Sequence, residues 1–479
     1  MKGRIKYNVL TPEETSLFAE RMEDLLSQRG IDLSHEPLKN ELAAAGCTVE
    51  GNHVWFPKEV IKKALDSVPA EFTLYAPDET NNMTFPHPEG SFYTRTNTGA
   101  PFYQPAEGDK RLVTLADVKE YFTIANALKN IHYVALPSAC DPAVPEEAID
   151  VFTLEQALHT SAKHIWIQPY EQANVKFLVE MCQTAAGGAD ALREKPIVSF
   201  ISCSVPVLQF KDMDAEIIYQ CAKAGIPVQP CSLPTAGANA PVTGQGVALV
   251  AAADVLAQIV MLELLCPGLP VIATTLLFSL DMITTQTMQS QTEITLGRLI
   301  CMQVFEQHYN IRCHSYGTGT DSDKMDGQNM IERTSLIQAM AMSDASVLGG
   351  AGQLDTAKTI SPIQLIIDNE IFETSRRLRT GLEVTDETLN FAELLAGNDA
   401  DGYLRSKHTR KHCRKMHRPK LFLTGTADDP EEAKETLLDR AFAEYKKLTA
   451  TEAADRLDSE KSEKIHAITL RAAEELFGK

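Results

Sequence analysis

Between residues 90 and 380, short runs of apolar, β-branched and aromatic residues alternate with longer segments whose apolar positions recur every three or four residues. Eight such runs are present: FYTRTNTG at 92–99, HYVALPSA at 132–139, HIWIQP at 164–169, IVSFISCS at 197–204, PVQPCSLP at 227–234, VIATTLLFS at 271–279, IRCHSYGT at 311–318 and SVLGGAG at 346–352. Each precedes a segment of helical character, at 114–129, 145–160, 172–185, 212–223, 246–265, 291–307, 328–343 and 362–378. Parallel strands need crossovers of this length. Eight βα units in succession therefore predict an α/β protein built on a (β/α)8 TIM barrel over 86–385, with an open doubly wound sheet as the alternative.

Upstream, Thr11-Pro12-Glu13-Glu14 reads as a capping box with proline at the first helical position. Phe18, Met22 and Leu25 continue it as an apolar stripe that Gly30 ends, so 1–85 is expected to be a mainly helical cap. Downstream, a basic stretch, KHTRKHCRKMHRPK at 407–420, leads into an acidic amphipathic tail, and 386–479 is expected to be a helical extension packed on the barrel.

Composition narrows the functional classes. With 44% hydrophobic residues the chain has ample material for a large core. Its 45 Lys and Arg against 65 Asp and Glu give a net charge of −20, which repels nucleic acid and anionic membrane. The beginning of the chain lacks the apolar core of a signal peptide, and the greasiest stretch, 247–265, is interrupted by Asp254, Gln258 and Glu263; a cytoplasmic location without a membrane span is expected. Ten cysteines without a CxxC pair imply neither a disulfide framework nor a zinc knuckle.

In a barrel of this kind the chemistry lies at the C-terminal ends of the strands. Those ends carry Asn97, Thr98, Cys140, Asp141, Gln168, Tyr170, Ser202, Ser204, Ser232, Thr235, Phe278, Ser279, His314, Tyr316, Gly350 and Gly352. Only Asp141 and His314 titrate readily, which argues against glycoside hydrolysis with its paired carboxylates and against Schiff-base chemistry with its strand-end lysine. DSDKMDGQNMIE at 321–332 imitates a calcium loop at three positions, but Met325 and Asp326 break the pattern, and helix capping explains its acids. Cys313 and His314 are adjacent on one strand and face opposite ways, so they do not converge on zinc. The glycines of 317–320 and 349–352 suit tight turns as well as a phosphate. Arg410, Arg414 and Arg418 recur every four residues, as a solvated helix face or a docking patch for an acidic protein would require.

The segments GDKRLVTLADVKEYFTIANAL at 108–128, SLPTAGANAPVTGQGVALVAAADVLA at 232–257, GTGTDSDKMDGQNMIE at 317–332, ISPIQLIIDNEIF at 360–372 and KHTRKHCR at 407–414 resemble, in this order, the trimethylamine methyltransferase family across nearly the whole chain. The glycine and proline pattern around Ala236-Gly237-Ala238 and Ala240-Pro241-Val242-Thr243 is the most specific part. Archaeal trimethylamine enzymes of that family carry pyrrolysine, whereas this sequence holds only standard residues. The resemblance therefore implies the non-pyrrolysine branch, which demethylates quaternary amines such as glycine betaine, proline betaine or carnitine. It further implies a Co(I) corrinoid on a separate small protein as methyl acceptor, with no cofactor tightly bound to this chain.

A quaternary ammonium leaves as a neutral tertiary amine and needs no proton, which agrees with a mouth poor in acids and bases. Positioning then matters more than acid–base chemistry. A permanent cation calls for aromatic faces, and Phe278 and Tyr316 lead the candidates, followed by Tyr93, Tyr103 and Tyr170, with Phe102 and Trp166 near strand ends and Gln168 as a polar contact. A betaine carboxylate needs a donor, for which His314, Arg312 and Arg95 are the strand residues available. Two other readings are a zinc-dependent corrinoid methyltransferase for methanol or a thiol, and a betaine-binding protein without catalysis. A homo-oligomer is the default assembly.

Overall fold

In the computed structural model, which describes residues 6–397, 402–422, 435–450 and 454–477, each of the eight apolar runs contributes one strand to a closed parallel barrel. The strands are β1 (Tyr93–Thr96), β2 (Tyr133–Ala135), β3 (His164–Ile167), β4 (Val198–Ser204), β5 (Val228–Ser232), β6 (Ala273–Thr275), β7 (Cys313–Tyr316) and β8 (Val347–Ala351). They pair in chain order, and β8 closes on β1. The crossovers are α1 (Leu115–Ala127), α2 (Ile149–Thr160), α3 (Val175–Ala186), α4 (Asp212–Ala224), α5 (Gly244–Leu265), α6 (Thr292–Gln303), α7 (Gly327–Ala341) and α8 (Pro362–Thr380).

Alternation along the strands separates two cores. Ile165, Ile167, Phe200, Val228 and Leu348 point outward into the strand–helix layer, whereas Tyr93, Tyr133, Trp166, Ile201, Cys231, Ile272 and Tyr316 fill the barrel axis. Helix α5 is long and apolar enough to cross a membrane, but it is buried in the barrel wall, where helices Pro12–Asp24 and Lys58–Leu65 pack over it. Its polar residues serve the fold: Glu263 accepts from Gly268 N and Ser67 Oγ, and Gln258 donates to Cys231 O.

The N-terminal segment differs from the mainly helical cap that its apolar stripes predict. Thr11 does cap the first helix in a capping box with Glu14. Between the helices, however, strands Ile31–Leu33, Thr48–Glu50 and His53–Trp55 form a sheet that recruits Gln209–Phe210 from the loop after β4. A second hairpin, Phe72–Leu74 with Met83–Phe85, plugs the N-terminal end of the barrel, and Tyr93 Oη donates to Thr84 O. Strands this short alternate too few times to stand out in the sequence. In the C-terminal extension, helix Leu437–Thr449 packs on α1 and α8, and helix Ser459–Phe477 on α2 and α3.

Four buried aspartates tie the strand ends to the wall. Asp150 of α2 accepts from Tyr170 N at 3.0 Å, Asp214 of α4 from Cys203 N at 2.8 Å, Asp254 of α5 from Leu208 N at 2.7 Å and Ser232 Oγ at 2.8 Å, and Asp368 of α8 from Gly352 N at 2.7 Å. Each holds a βα loop by its backbone. Burial raises the carboxyls of Asp150 and Asp214 to about 6 and that of Asp254 to about 7. With the folded value above the unfolded one, the native state keeps these protons where the unfolded chain has released them. This contribution is complete below about pH 4 and is lost as pH rises to about 7. Urea midpoints measured at pH 5 and pH 8 are expected to differ less in Asp254→Asn than in the parent protein; an equal difference would refute the assignment to Asp254.

Candidate active site

Arg95 lies on the barrel axis, fully buried. Its Nε donates to His314 Nε2 at 3.0 Å, Nη1 donates to Thr96 O at 2.6 Å, and the guanidinium stacks 4.0 Å from the centroid of Trp166. Nη2 has no hydrogen-bond partner, and among the described residues no carboxylate pairs with this cation. An unpaired charge out of water costs several kcal/mol. Because His314 Nε2 accepts from Arg95, its proton is on Nδ1, which donates to Thr274 Oγ1 at 3.2 Å. Burial, reinforced by the neighbouring guanidinium, holds this imidazole well below the usual histidine range, so His314 is neutral.

Above this group, toward the strand C-termini, Phe278 and Tyr316 meet edge to face with centroids 6.1 Å apart at 75°. Behind Tyr316 sits Arg298 of α6, its Cζ 5.8 Å from the ring centroid. Arg298 is fully buried; Nη2 donates to Leu277 O at 2.6 Å, while Nε and Nη1 are unpartnered. Its pKa falls to about 10 through burial. Across the mouth, Gln168 accepts from Thr98 Oγ1 at 2.9 Å, and Asn97 Nδ2 donates to Ala357 O at 2.9 Å. Asp355, Thr356 and Ala357 are consecutive left-handed residues with φ of 52°, 50° and 68°, a strain that is held in place by contacts to the rim. Thr356 Oγ1 donates to Asp321, which also accepts from Gln289 N and Ser290 N and so joins the loops after β6, β7 and β8.

The structure thus brings together His314, Phe278, Tyr316 and Gln168 with Arg95 and Trp166, and separates the rest of the sequence candidates from them. Arg312 shares its strand face with His314 but ends at the opposite, N-terminal opening, where it pairs with Glu306 at 3.1 Å and lines a cavity of about 590 Å³ with His87 and Arg379. Tyr93 occupies that same floor against Phe85 and His132. Tyr103 turns outward and donates to Glu120 of α1 at 2.6 Å. Tyr170 is half-buried with its hydroxyl out of solvent, and its backbone is the part that Asp150 holds. Trp166 turns a face to Arg95, leaving less of its ring to another cation.

In the loop at 321–332, Asp326 caps α7 and Glu332 accepts from Thr320 Oγ1 and Asp321 N, in keeping with the capping reading of these acids. Arg298 is absent from the sequence candidates because it lies on a helix. Its signal was a lone arginine on the Ile294–Cys301 apolar face.

Gly349 makes the Arg95–His314 contact possible by size, since a Cβ there would clash with His314 Nε2 and lie 2.8 Å from Arg95 Cζ. Gly349→Ala is expected to push the pair apart and lower kcat/KM about 10²-fold, the effect of a misplacement near 1 Å. Steady-state kinetics on the folded variant check this, and parent-like kinetics would remove the pair from the site.

The fold and site define a (β/α)8-barrel protein whose mouth is aromatic and whose axis holds a buried cation without a counterion among the described residues. A sequence model described as trimethylamine methyltransferase matches residues 2–476. The chain belongs to the trimethylamine methyltransferase family and is a methyltransferase. A glycine betaine methyltransferase of Desulfitobacterium hafniense (strain Y51) is 27% identical over 473 residues, 98% of each chain. A trimethylamine methyltransferase of Methanosarcina barkeri (strain Fusaro) is 26% identical over 415 residues, 85% of this chain and 83% of that one. Among solved structures, the Methanosarcina barkeri monomethylamine methyltransferase shares the fold, with a TM-score of 0.51 at 12% identity over 98% of this chain and 88% of that one.

Proposed function

We propose that the protein demethylates a quaternary amine that carries a carboxylate, with glycine betaine first and proline betaine or carnitine next, and delivers the methyl group to a corrinoid held by a separate small protein in the cytoplasm. The observation that carries the substrate class is Arg95, a desolvated guanidinium that meets no anion among the described residues. A carboxylate placed against Nη2 would complete its charge balance. The glycine betaine methyltransferase similar over 98% of each chain supports the same reading.

Seated carboxylate downward, the substrate would direct its trimethylammonium toward Phe278 and Tyr316, whose ring faces stabilise a desolvated cation. One N–CH3 bond would then point out of the mouth. The corrinoid supplies a two-electron nucleophile for the methyl carbon, and the C–N electron pair stays on nitrogen. Neutral His314 fixes Arg95 without adding a second positive charge beside the ammonium.

The test is to mix the protein with its corrinoid protein in the Co(I) state and glycine betaine, proline betaine, carnitine, choline or trimethylamine, and to follow methyl-corrinoid formation by absorbance. Turnover of a carboxylate-bearing amine, with none of choline or trimethylamine, is expected. Turnover of choline or trimethylamine instead would overturn the substrate class, and no product with any of the five would overturn the reaction.

The corrinoid protein would cover the rim, where loops after β5 and β6 expose Val242, Met282 and Ile283, the last at 92%. Ile283→Asp is expected to slow transfer to the corrinoid protein about tenfold or more, as loss of a buried interface anchor does. Transfer to free cob(I)alamin should be unchanged, and equal losses with both acceptors would count against this rim.

A further inference from the structure

After α8 the chain leaves the barrel at its N-terminal end, where Arg379 donates to Ala341 O and Ser343 O beneath β8. It returns at Lys420, whose backbone N donates to Glu370 of α8. None of the described residues between 382 and 420 is buried. The segment is nevertheless ordered into short helices Asp386–Leu389, Phe391–Ala396 and Lys407–His412, the first capped by Thr385 and the last by Ser406. Helices of four to six residues are unstable alone, and ordering the backbone costs about 1–2 kcal/mol per residue. Burial within this chain does not offset that cost here.

The composition of the segment points to what does. Of the twenty exposed large hydrophobic side chains among the described residues, nine fall between 382 and 416: Leu382, Val384, Leu389, Phe391, Leu394, Leu395, Tyr403, Leu404 and Met416. Such a concentration marks an interface rather than ordinary scatter. Residues 403–420 add eight of the chain's 45 Lys and Arg and no acid, on a molecule whose net charge is −20. The four-residue recurrence of Arg410, Arg414 and Arg418 does not build one helix face, because the α-helix stops at His412 and only a short 3-10 turn, Cys413–Lys415, follows.

We propose that this apolar, basic arm docks on a second copy of the same chain. Charge favours that occupant, since the second half of the arm, 403–420, is basic without an acid, and the rest of the chain is strongly acidic. Place favours it too: the arm leaves from the N-terminal end of the barrel, opposite the mouth where a methyl acceptor must approach. The arm is therefore free to join two copies while both mouths stay open.

The test is the mass of the full chain by light scattering at micromolar concentration, together with hydrogen exchange across a dilution series. A homo-oligomer is expected, with protection of 386–396 and 407–412 that falls on dilution. Leu394→Asp with Leu404→Asp should yield monomers with the parent's methyl transfer to free cob(I)alamin. A monomeric parent, an oligomer unchanged by the double variant, or protection gained only when the corrinoid protein is added would each overturn the proposal. Should the double variant fail to fold, concentration-independent exchange of the parent arm would overturn it alone. Failure of the methyltransferase reading would leave these mass and exchange results untouched.

Discussion

Arg95→Met is expected to raise KM for glycine betaine roughly 10²-fold or more, with a smaller change in kcat, while the melting temperature of the ligand-free protein holds or rises. The two directions have one cause. Arg95 is buried, and among the described residues none partners Nη2 and no carboxylate lies against it, so the ligand-free protein bears the desolvation of a charge that the substrate would neutralise. Removing one partner of a buried charge pair costs a complex about 2–5 kcal/mol. Replacing a buried charge by an apolar chain of similar volume is often neutral, or stabilising by about 1–4 kcal/mol. The variant also gives up the bond to His314 Nε2 at 3.0 Å, which limits the gain. Kinetics and thermal melts, each with and without betaine, separate the outcomes. A lower melting temperature with unchanged KM would make Arg95 a structural cation and remove the main support for a carboxylate-bearing substrate.

Asp368→Ala carries the largest expected loss of stability, about 3–5 kcal/mol, because it breaks a buried ion pair from one side. Asp368 and Arg333 pair at 2.8 Å with both side chains fully buried. Gly352 N at the end of β8 and Gln364 Nε2 also donate to the same carboxylate. Arg333 in turn bonds Asn329 Oδ1 and Gln353 O. The substitution leaves Arg333 Nη1 and the Gly352 N–H without partners and strips the buried guanidinium of its counter-charge. It also frees the strand end that shapes the mouth. Replacing both partners, Asp368→Leu with Arg333→Met, should recover most of the loss, since two apolar chains leave no orphaned charge. Chemical denaturation of the single and double variants decides the point; additive losses would mean that packing, rather than the broken pair, sets the cost.

The barrel was legible because its signal is periodic and repeated. Eight apolar runs separated by crossover-length helical patterns leave few other solutions, and all eight runs became strands in the order read. Helix starts were legible for a local reason, since Thr11 and Asp326 cap through backbone N–H groups three residues away. Strand-end position also brought His314, Phe278, Tyr316 and Gln168 forward, because βα loops emerge at one face of any such barrel.

Depth along the barrel was not in the pattern. Alternation tells which way a side chain points, but Arg312 and His314 point the same way, and one ends at the N-terminal opening on Glu306 while the other stays on the barrel axis beside Arg95. Tyr93 and Tyr103 show the same limit: one went to the floor and the other to Glu120 on α1. The sequence, through period-two and period-3.6 burial and local capping, determined the elements, their order and the face on which chemistry gathers. Only the tertiary structure decided that, among the described residues, Arg95 lacks a counterion and an apolar arm is left uncovered, that Arg298 lies behind Tyr316, and that Asp368 answers Arg333. Each of these depends on contacts between segments far apart in the chain, and whether a charge is paired or an apolar face covered is a property of such contacts, which no local pattern encodes.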